Sequence, residues 1–289
     1  MTIDFEQHRS HLRGVAYRML GSLAEADDAV QEAWLRLDRA EPSGVANPRG
    51  WLTTVVARVC LDMLRTRTSR REEPLDQRAD RPAATDAEEE LMLADAVGLA
   101  LLVVLDKLEP AERLAFVLHD LFGVPFEEIA AIVSRSPDAT RQLASRARRR
   151  VQGSAAPDAE RANQRHTVEA FIAALRRGDV TGMIAVLDPE VVGRAVDEAG
   201  TVREVRGARN WASGAVAFAR LASHMAPALI DGSVGLVMAP QGRLFRALRF
   251  TFEGGRIASA EVIADRARLD ALDIATIEGL PPIRPGHDP

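Results

Sequence analysis

The stretch LFGVPFEEIAAIVSRSPDATRQLASRARRR, Leu121 to Arg150, decides how the rest of the chain is read. Phe126, Ile129, Ala130 and Val133 recur at helical spacing. Ser134-Arg135-Ser136 has room only for a tight turn. Ser136 then suits an N-cap, Pro137 the first helical position, and Asp138 the positive end of the helix dipole. The second helix runs to about Val151, with Thr140, Leu143, Ala144, Ala147 and Val151 on its apolar face. Asp138, Arg141, Gln142, Ser145, Arg148 and Arg149 stand opposite. Two helices joined by a three-residue turn, the second with a cationic outer face, predict a helix-turn-helix. Arg141, Gln142 and Ser145 occupy the half of the helix that reaches base edges in this geometry. Arg146, Arg148, Arg149 and Arg150 follow, where phosphate contact is expected. A solvated helix with a basic last turn is the plainer alternative. Turn length, cap and one-sided arginine together favour DNA.

This arginine is concentrated on a chain whose formal net charge is -5, so a nucleic-acid role rests on local charge. The 289 residues, 47% of them hydrophobic, allow two or three domains with large cores. A single cysteine, Cys60, fits a reducing compartment. No run approaches a membrane span, and MTIDFEQHRS lacks a signal pattern, so a cytoplasmic setting is expected, with no membrane partner.

Residues 5–70 read as nearly all helix, and a second helical block runs from about Ala87 to Val151. Between them REEPLDQRADRPAATDAEEE is acidic and proline-rich, the composition of a linker. QGSAAPDAE is a second, shorter one. From about Arg161 a helix gives way to short strand-like runs, as in DGSVGLVMAPQGRLFRALRFTFEGGRIASAEVIA, where GS, QG and EGG mark turns. GLPPIRPGHDP reads as a tail.

The N-terminal block adds two further helices. GSLAEADDAVQEAWLRL (21–37) puts Leu23, Ala26, Val30, Trp34 and Leu37 on one face and Glu25, Asp28 and Glu32 on another. In NPRGWLTTVVARVCLDMLRTRTSRR (47–71), Asn47 caps, Pro48 starts the helix, and Leu52, Val55, Val56, Val59 and Met63 form the buried stripe. Trp51, Thr54, Arg58, Asp62 and Arg65 fall near another face, and Arg65, Arg67, Arg70 and Arg71 make a basic end. An aromatic among cations suits unpaired bases and phosphate, although a tryptophan is more often core.

In this order the parts resemble a bacterial extracytoplasmic-function sigma factor of RNA polymerase, over about residues 5–152. ADDAVQEAWLRL resembles region 2.2, which implies that Asp27, Asp28, Gln31 and Glu32 meet the beta-prime clamp helices of core polymerase. NPRGWLTTVVARVCLDMLR resembles regions 2.3 and 2.4, implying contact of Asn47, Trp51, Arg58 and Arg65 with the -10 element. Val59 stands where many members carry asparagine. LEPAERLAFVLHDLFGVPFEEIAAIVSRSPDATRQLASRARRR resembles region 4, implying -35 contacts from Arg141, Gln142, Ser145, Arg146, Arg148 and Arg149, and contact with the beta flap. An anti-sigma partner stays open. The family also gives the acidic linker a course through the polymerase channels.

Residues 161–275 resemble a SnoaL-like, cystatin-like domain, helices packed on a curved antiparallel sheet. Some sigma factors carry this appendage, where it modulates activity by packing on regions 2 and 4. The loop that supports this contact corresponds to Asp197-Glu198-Ala199-Gly200, with Asp197 and Gly200 retained, and a second signature to Asp265-Arg266-Ala267-Arg268-Leu269. The expected organisation is region 2 (1–71), linker (72–87), region 4 (88–152), linker (153–160), an α+β cone (161–275) and a tail (276–289). His166, His224, Asp197, Asp231 and Glu261 form no pair at catalytic spacing, so no enzyme, cofactor or metal is expected. Trp211, Phe218, Met225 and Phe250 read as core, with an apolar ligand pocket as the alternative. Two other readings remain, a stand-alone helix-turn-helix regulator with a sensing domain and a SnoaL-like enzyme with a DNA-targeting module.

Overall fold

The computed structural model describes residues 4–40, 47–71, 98–153, 159–196 and 202–277. The chain divides into two compact units. One takes in residues 1–93, 105–149 and 281–289, and the other residues 94–104 and 150–280.

The first unit is helical. Helix α1 (Arg9–Leu20) ends at Gly21, whose φ of 80° closes the last turn in the left-handed region. Helix α2 (Leu23–Ala40) packs on it through Leu23, Ala26, Ala29, Val30 and Ala33. Trp34, expected on that face, is instead 44% exposed. Ala26, Ala29 and Ala33 are fully covered, so the buried arc of α2 centres on them and the bulky indole is left at its edge. Helix α3 (Pro48–Arg71) buries more than the expected stripe. Leu52, Thr53, Val56, Ala57, Val59, Cys60, Leu61 and Leu64 are all covered, while Val55 and Met63 are half-buried. The burial is wide because α3 meets α1 and α2 as well as two later helices, α5 (Pro110–Phe116) and α6 (Phe126–Val133). In the chain they are preceded by the apolar α4 (Leu99–Asp106), most of which belongs to the second unit. A π-helical turn over Val117–Leu121 follows α5, and α7 (Pro137–Gln152) closes the helical series.

In the second unit, α8 (Ala159–Arg176) and α9 (Val180–Val186) lead into β1 (Leu187–Val196) and β2 (Val202–Arg206). Helix α10 (Ala208–Ala215) and a 3-10 segment (Val216–His224) cross to β3 (Met225–Ile230) and β4 (Ser233–Met238). Strands β5 (Arg246–Glu253) and β6 (Arg256–Ile263), helix α11 (Arg266–Ala271) and the short β7 (Ile274–Ala275) complete it. The strand order is β2-β1-β6-β5-β4-β3-β7. Val168, Phe171 and Leu175 of α8 pack with Leu236, Phe250 and Ile257 of the sheet in one core. Two hairpins turn on residue pairs with positive φ, Asp231-Gly232 and Gly254-Gly255, the backbone a two-residue turn needs.

The expectation of an antiparallel sheet needs one correction, since β1 and β6 pair parallel. Hairpins impose antiparallel neighbours, but the two halves of this sheet are joined by the α10 crossover, which imposes none. Phe218 is also not core: it is 41% exposed, while Met225 and Phe250 are buried and Trp211 half-buried. Gly193 on β1 lies against Trp211, and a Cβ there would stand 2.0 Å from Cε3 of the indole. Gly193→Ala is therefore expected to destabilise the second unit by about 1–3 kcal/mol through overpacking. Thermal denaturation of the full chain reads this as a fall in the midpoint of that unit.

Candidate nucleic-acid and polymerase interface

The helix-turn-helix is set by its caps. Ser134 takes a left-handed φ of 56° and ends α6, with the Arg135 N–H donating to the Ala130 carbonyl at 3.1 Å. The Ser136 hydroxyl accepts from the Ala139 N–H at 3.2 Å, and the Ser136 carbonyl accepts from the N–H and the hydroxyl of Thr140, both at 3.0 Å. Thr140, Leu143, Ala144, Ala147 and Val151 are buried, which turns the other side of α7 outward. Arg141, Gln142, Ser145, Arg146 and Arg149 are exposed, and Arg148 is half-buried.

That cationic face is partly neutralised from within the unit. Arg141 donates to Glu127 of α6 at 3.0 Å and to Asp138 at 2.5 Å. Its guanidinium also lies 5.5 Å from the centre of the Phe126 ring, which stacks on His119. Arg146 donates to the buried Glu112 at 2.7 Å, and Arg148 to Asp120. These pairs fix three of the arginines before any ligand arrives. Of the four carboxylates only Asp138 was singled out by sequence; the pairs of Glu127, Glu112 and Asp120 depend on how α6, α5 and the π turn pack on α7.

On α3, the Asn47 side chain accepts from the Gly50 N–H at 3.0 Å, so it caps the helix as expected. Trp51 and Thr54 are half-buried, while Arg58, Asp62 and Arg65 are exposed, so these five form one continuous outer strip. Arg67 departs from the expected basic end. It is half-buried and donates to Glu25 of α2. On α2, Asp27 accepts from both Nε and Nη2 of Arg13, at 2.7 and 3.0 Å, and Glu32 accepts from Arg36 at 2.8 Å. Asp28 and Gln31 are exposed beside Trp34. Asp197 and Gly200 lie outside the described residues, as does the linker 72–87.

Sequence reasoning missed the interior charge of this unit. Arg113 is 2% exposed, and burial pulls its guanidinium down to a pKa of about 10. Its Nε and Nη2 donate to the Arg18 carbonyl at 3.3 and 3.2 Å. Its place between Pro110 and the apolar pair Phe116 and Val117, on an otherwise buried helix, was the available signal. In the second unit, Asp231 and Glu261 are paired with Arg249, and Glu261 also with Arg268 at 2.6 Å. His224 contacts Ser223 at 3.2 Å, and burial holds its pKa below the usual histidine range. Among the described residues no His, Cys, Asp or Glu cluster has metal-binding geometry, and no helix is long and apolar enough to cross a membrane.

Residues 5–70 match the family model for Sigma-70 region 2, and residues 98–151 that for Sigma-70, region 4. The chain is 37% identical over 283 residues to the probable ECF RNA polymerase sigma factor SigI of Mycobacterium tuberculosis (strain ATCC 25618 / H37Rv), covering 92% of this chain and 93% of that one. The chain belongs to the extracytoplasmic-function sigma factors. SigJ of the same organism is 43% identical over 217 residues, 71% of this sigma factor and 68% of SigJ. The crystal structure of SigJ aligns with a TM-score of 0.47 at 33% identity, over 92% of this chain and 96% of that one. As an RNA polymerase sigma factor, the protein binds core polymerase and promoter DNA. Its helical sigma regions are followed by an α+β domain in which helices pack on a seven-stranded sheet.

Proposed function

We propose that the three exposed helical strips divide the work of initiation. Asp27, Asp28, Gln31 and Glu32 of α2 meet the beta-prime clamp helices. Asn47, Trp51, Arg58 and Arg65 of α3 serve the -10 element. Arg141, Gln142 and Ser145 of α7 read base edges of the -35 element, and Arg146, Arg148 and Arg149 hold its phosphates. The observation that carries this reading is the exposure of these strips on helices whose opposite sides are closed by apolar residues. Trp34 joins the α2 strip: a large indole 44% open to water beside acidic and amide side chains is the composition of a binding hot spot. The protein acts in the cytoplasm, without a cofactor and without catalysis of its own. Residues 1–71 and 88–152 carry the sigma work, and the cone of 161–275 modulates it, with Asp197 and Gly200 in the loop through which it acts.

A footprint of the holoenzyme tests the assignment of strips. Protection of both elements is expected, and Arg58→Ala with Arg65→Ala should remove the -10 protection while sparing the -35. Loss of both together, or of neither, would contradict the assignment. The part of the cone is tested by single-round transcription with the full chain and with one ending at Gly153. The yields are expected to differ, and equal yields would leave the cone without a part in initiation. Trp34→Ala is expected to weaken core binding by about 2 kcal/mol, the range of an interface hot spot. Core binding unchanged in titration calorimetry would return Trp34 to the solvent.

A further inference from the structure

Within the first unit α3 packs directly against α5 and α6, and α1 meets the π turn that follows α5. On the reading above, the helix that serves the -10 element therefore touches the first helix of the module that reads the -35 element. Those elements lie about 25 base pairs apart, or about 85 Å at roughly 3.4 Å per base pair. Two modules in contact cannot occupy both, so the chain described here is a closed form that has to open before it works.

The contact that closes it is largely apolar, with a cluster of charged groups set into it. The last carbonyls of α1 have no partner inside their own helix, and they form the negative end of its dipole. Arg113 reaches across from α5 and donates twice to one of them, that of Arg18. Arg67 stands at the same helix end, 3.5 Å from the Leu20 carbonyl, and donates to Glu25. Asp106 lies between the two guanidinium groups, 3.7 Å from Arg113 and 3.8 Å from Arg67. Beside this cluster the Arg18 guanidinium lies 5.2 Å from the centre of the Phe122 ring, and His11 meets the same ring edge-on at 5.4 Å. Opening exposes the apolar residues that α3 buries against α5 and α6, which favours the closed form. Buried charged groups behave differently, because hydration on opening returns much of what their burial cost, which keeps the two states close in free energy.

We propose that Arg113 is the catch of an autoinhibited form of this sigma factor: from region 4 it caps the C-terminal end of α1 in region 2, and core polymerase binds the form in which that cap is released. The proposal rests on the assignment of α3 and α6–α7 to the two promoter elements, but its test does not.

The test uses the full chain labelled with a fluorophore pair at Asp62→Cys on α3 and Glu128→Cys on α6, with the buried Cys60 left in place. Single-molecule energy transfer is expected to show short distances in the free protein and long ones when core polymerase is added. Arg113→Met keeps an unbranched apolar stem and removes the guanidinium and its charge, and it should raise the ratio of open to closed molecules by about fivefold or more. Affinity for core polymerase should rise with it, since a smaller share of molecules has to open first. A merely structural arginine would lower that affinity. If Arg113→Met fails to fold by circular dichroism, Asp106→Asn serves in its place, with the same expected directions. A free wild-type chain that is already extended would overturn the proposal, as would a folded variant with unchanged distances or a lower affinity for core polymerase. Opening as expected combined with promoter contacts at other helices would instead overturn the assignment of strips and leave the catch standing.

Discussion

Charge reversal at Asp28 and Glu32, both to lysine, is expected to weaken binding to core polymerase by at least about tenfold, roughly 1.4 kcal/mol. Asp28 is exposed on α2, and among the described residues Glu32 pairs with Arg36 at i,i+4, worth about 0.3–0.5 kcal/mol to the helix. Little folding free energy is therefore at stake, and lysine is nearly as good a helix former as glutamate. What changes is the field presented to a basic partner. Each reversal replaces an attraction by a repulsion, and an edge charge of this type acts strongly on the association rate. The loss should be largest at low salt and shrink as the Debye length falls. A pull-down with core polymerase, paired with circular dichroism, reads both parts. Undiminished binding by the folded double variant would remove α2 from the polymerase interface.

The second large effect concerns α7. Arg141→Ala is expected to lose about 1–3 kcal/mol of discrimination at a single base pair if its contact is bidentate to guanine. In the free protein Arg141 is held by Glu127 and Asp138, so its guanidinium is already ordered near the start of the helix, where base edges are reached. DNA has to share or displace those carboxylates, and that exchange lowers the net gain. Arg149→Ala should act differently. Arg149 is exposed two turns further on, and its loss should weaken binding about equally across promoter variants and reduce the salt slope by about one. A holoenzyme binding panel over single-base promoter changes separates the two. If both substitutions behaved alike, the division of α7 into a base-reading half and a phosphate-holding half would be wrong.

What could be read from the sequence was whatever is decided locally. The turn at Ser134–Ser136, the cap at Ser136, the proline that starts α7 and its buried face are fixed by residues within one or two turns of each other, and the structure has them as expected. The same holds for Asn47 and Pro48 at the start of α3 and for the Gly254-Gly255 hairpin, while the turn read at Gly232-Ser233 falls one residue earlier, on Asp231-Gly232. What was not legible depends on neighbours distant in the chain. Trp34 satisfies the spacing of the α2 apolar face, yet the buried arc centres on three alanines and leaves it at the edge. Arg113 looks like an ordinary helix arginine until the carbonyl of Arg18 is brought to it by the packing of α1 and α5. Glu112 and Asp120 read as surface acids until α7 lays Arg146 and Arg148 over them. The parallel seam between β1 and β6 follows from where the α10 crossover lands, which no period in the sequence records.

This chain is expected to place core polymerase at a start site through two separate helical strips. Run-off transcription measures that ability. Purified core polymerase and the full-length protein are given a template carrying a cognate promoter, together with templates in which the -10 or the -35 element is replaced. A transcript of one defined length that needs the protein and both elements is the predicted result, with the -35 requirement altered by changes in α7 and the -10 requirement by changes in α3. A transcript that survives replacement of either element, or that responds to the α3 and α7 changes without distinction, would contradict it.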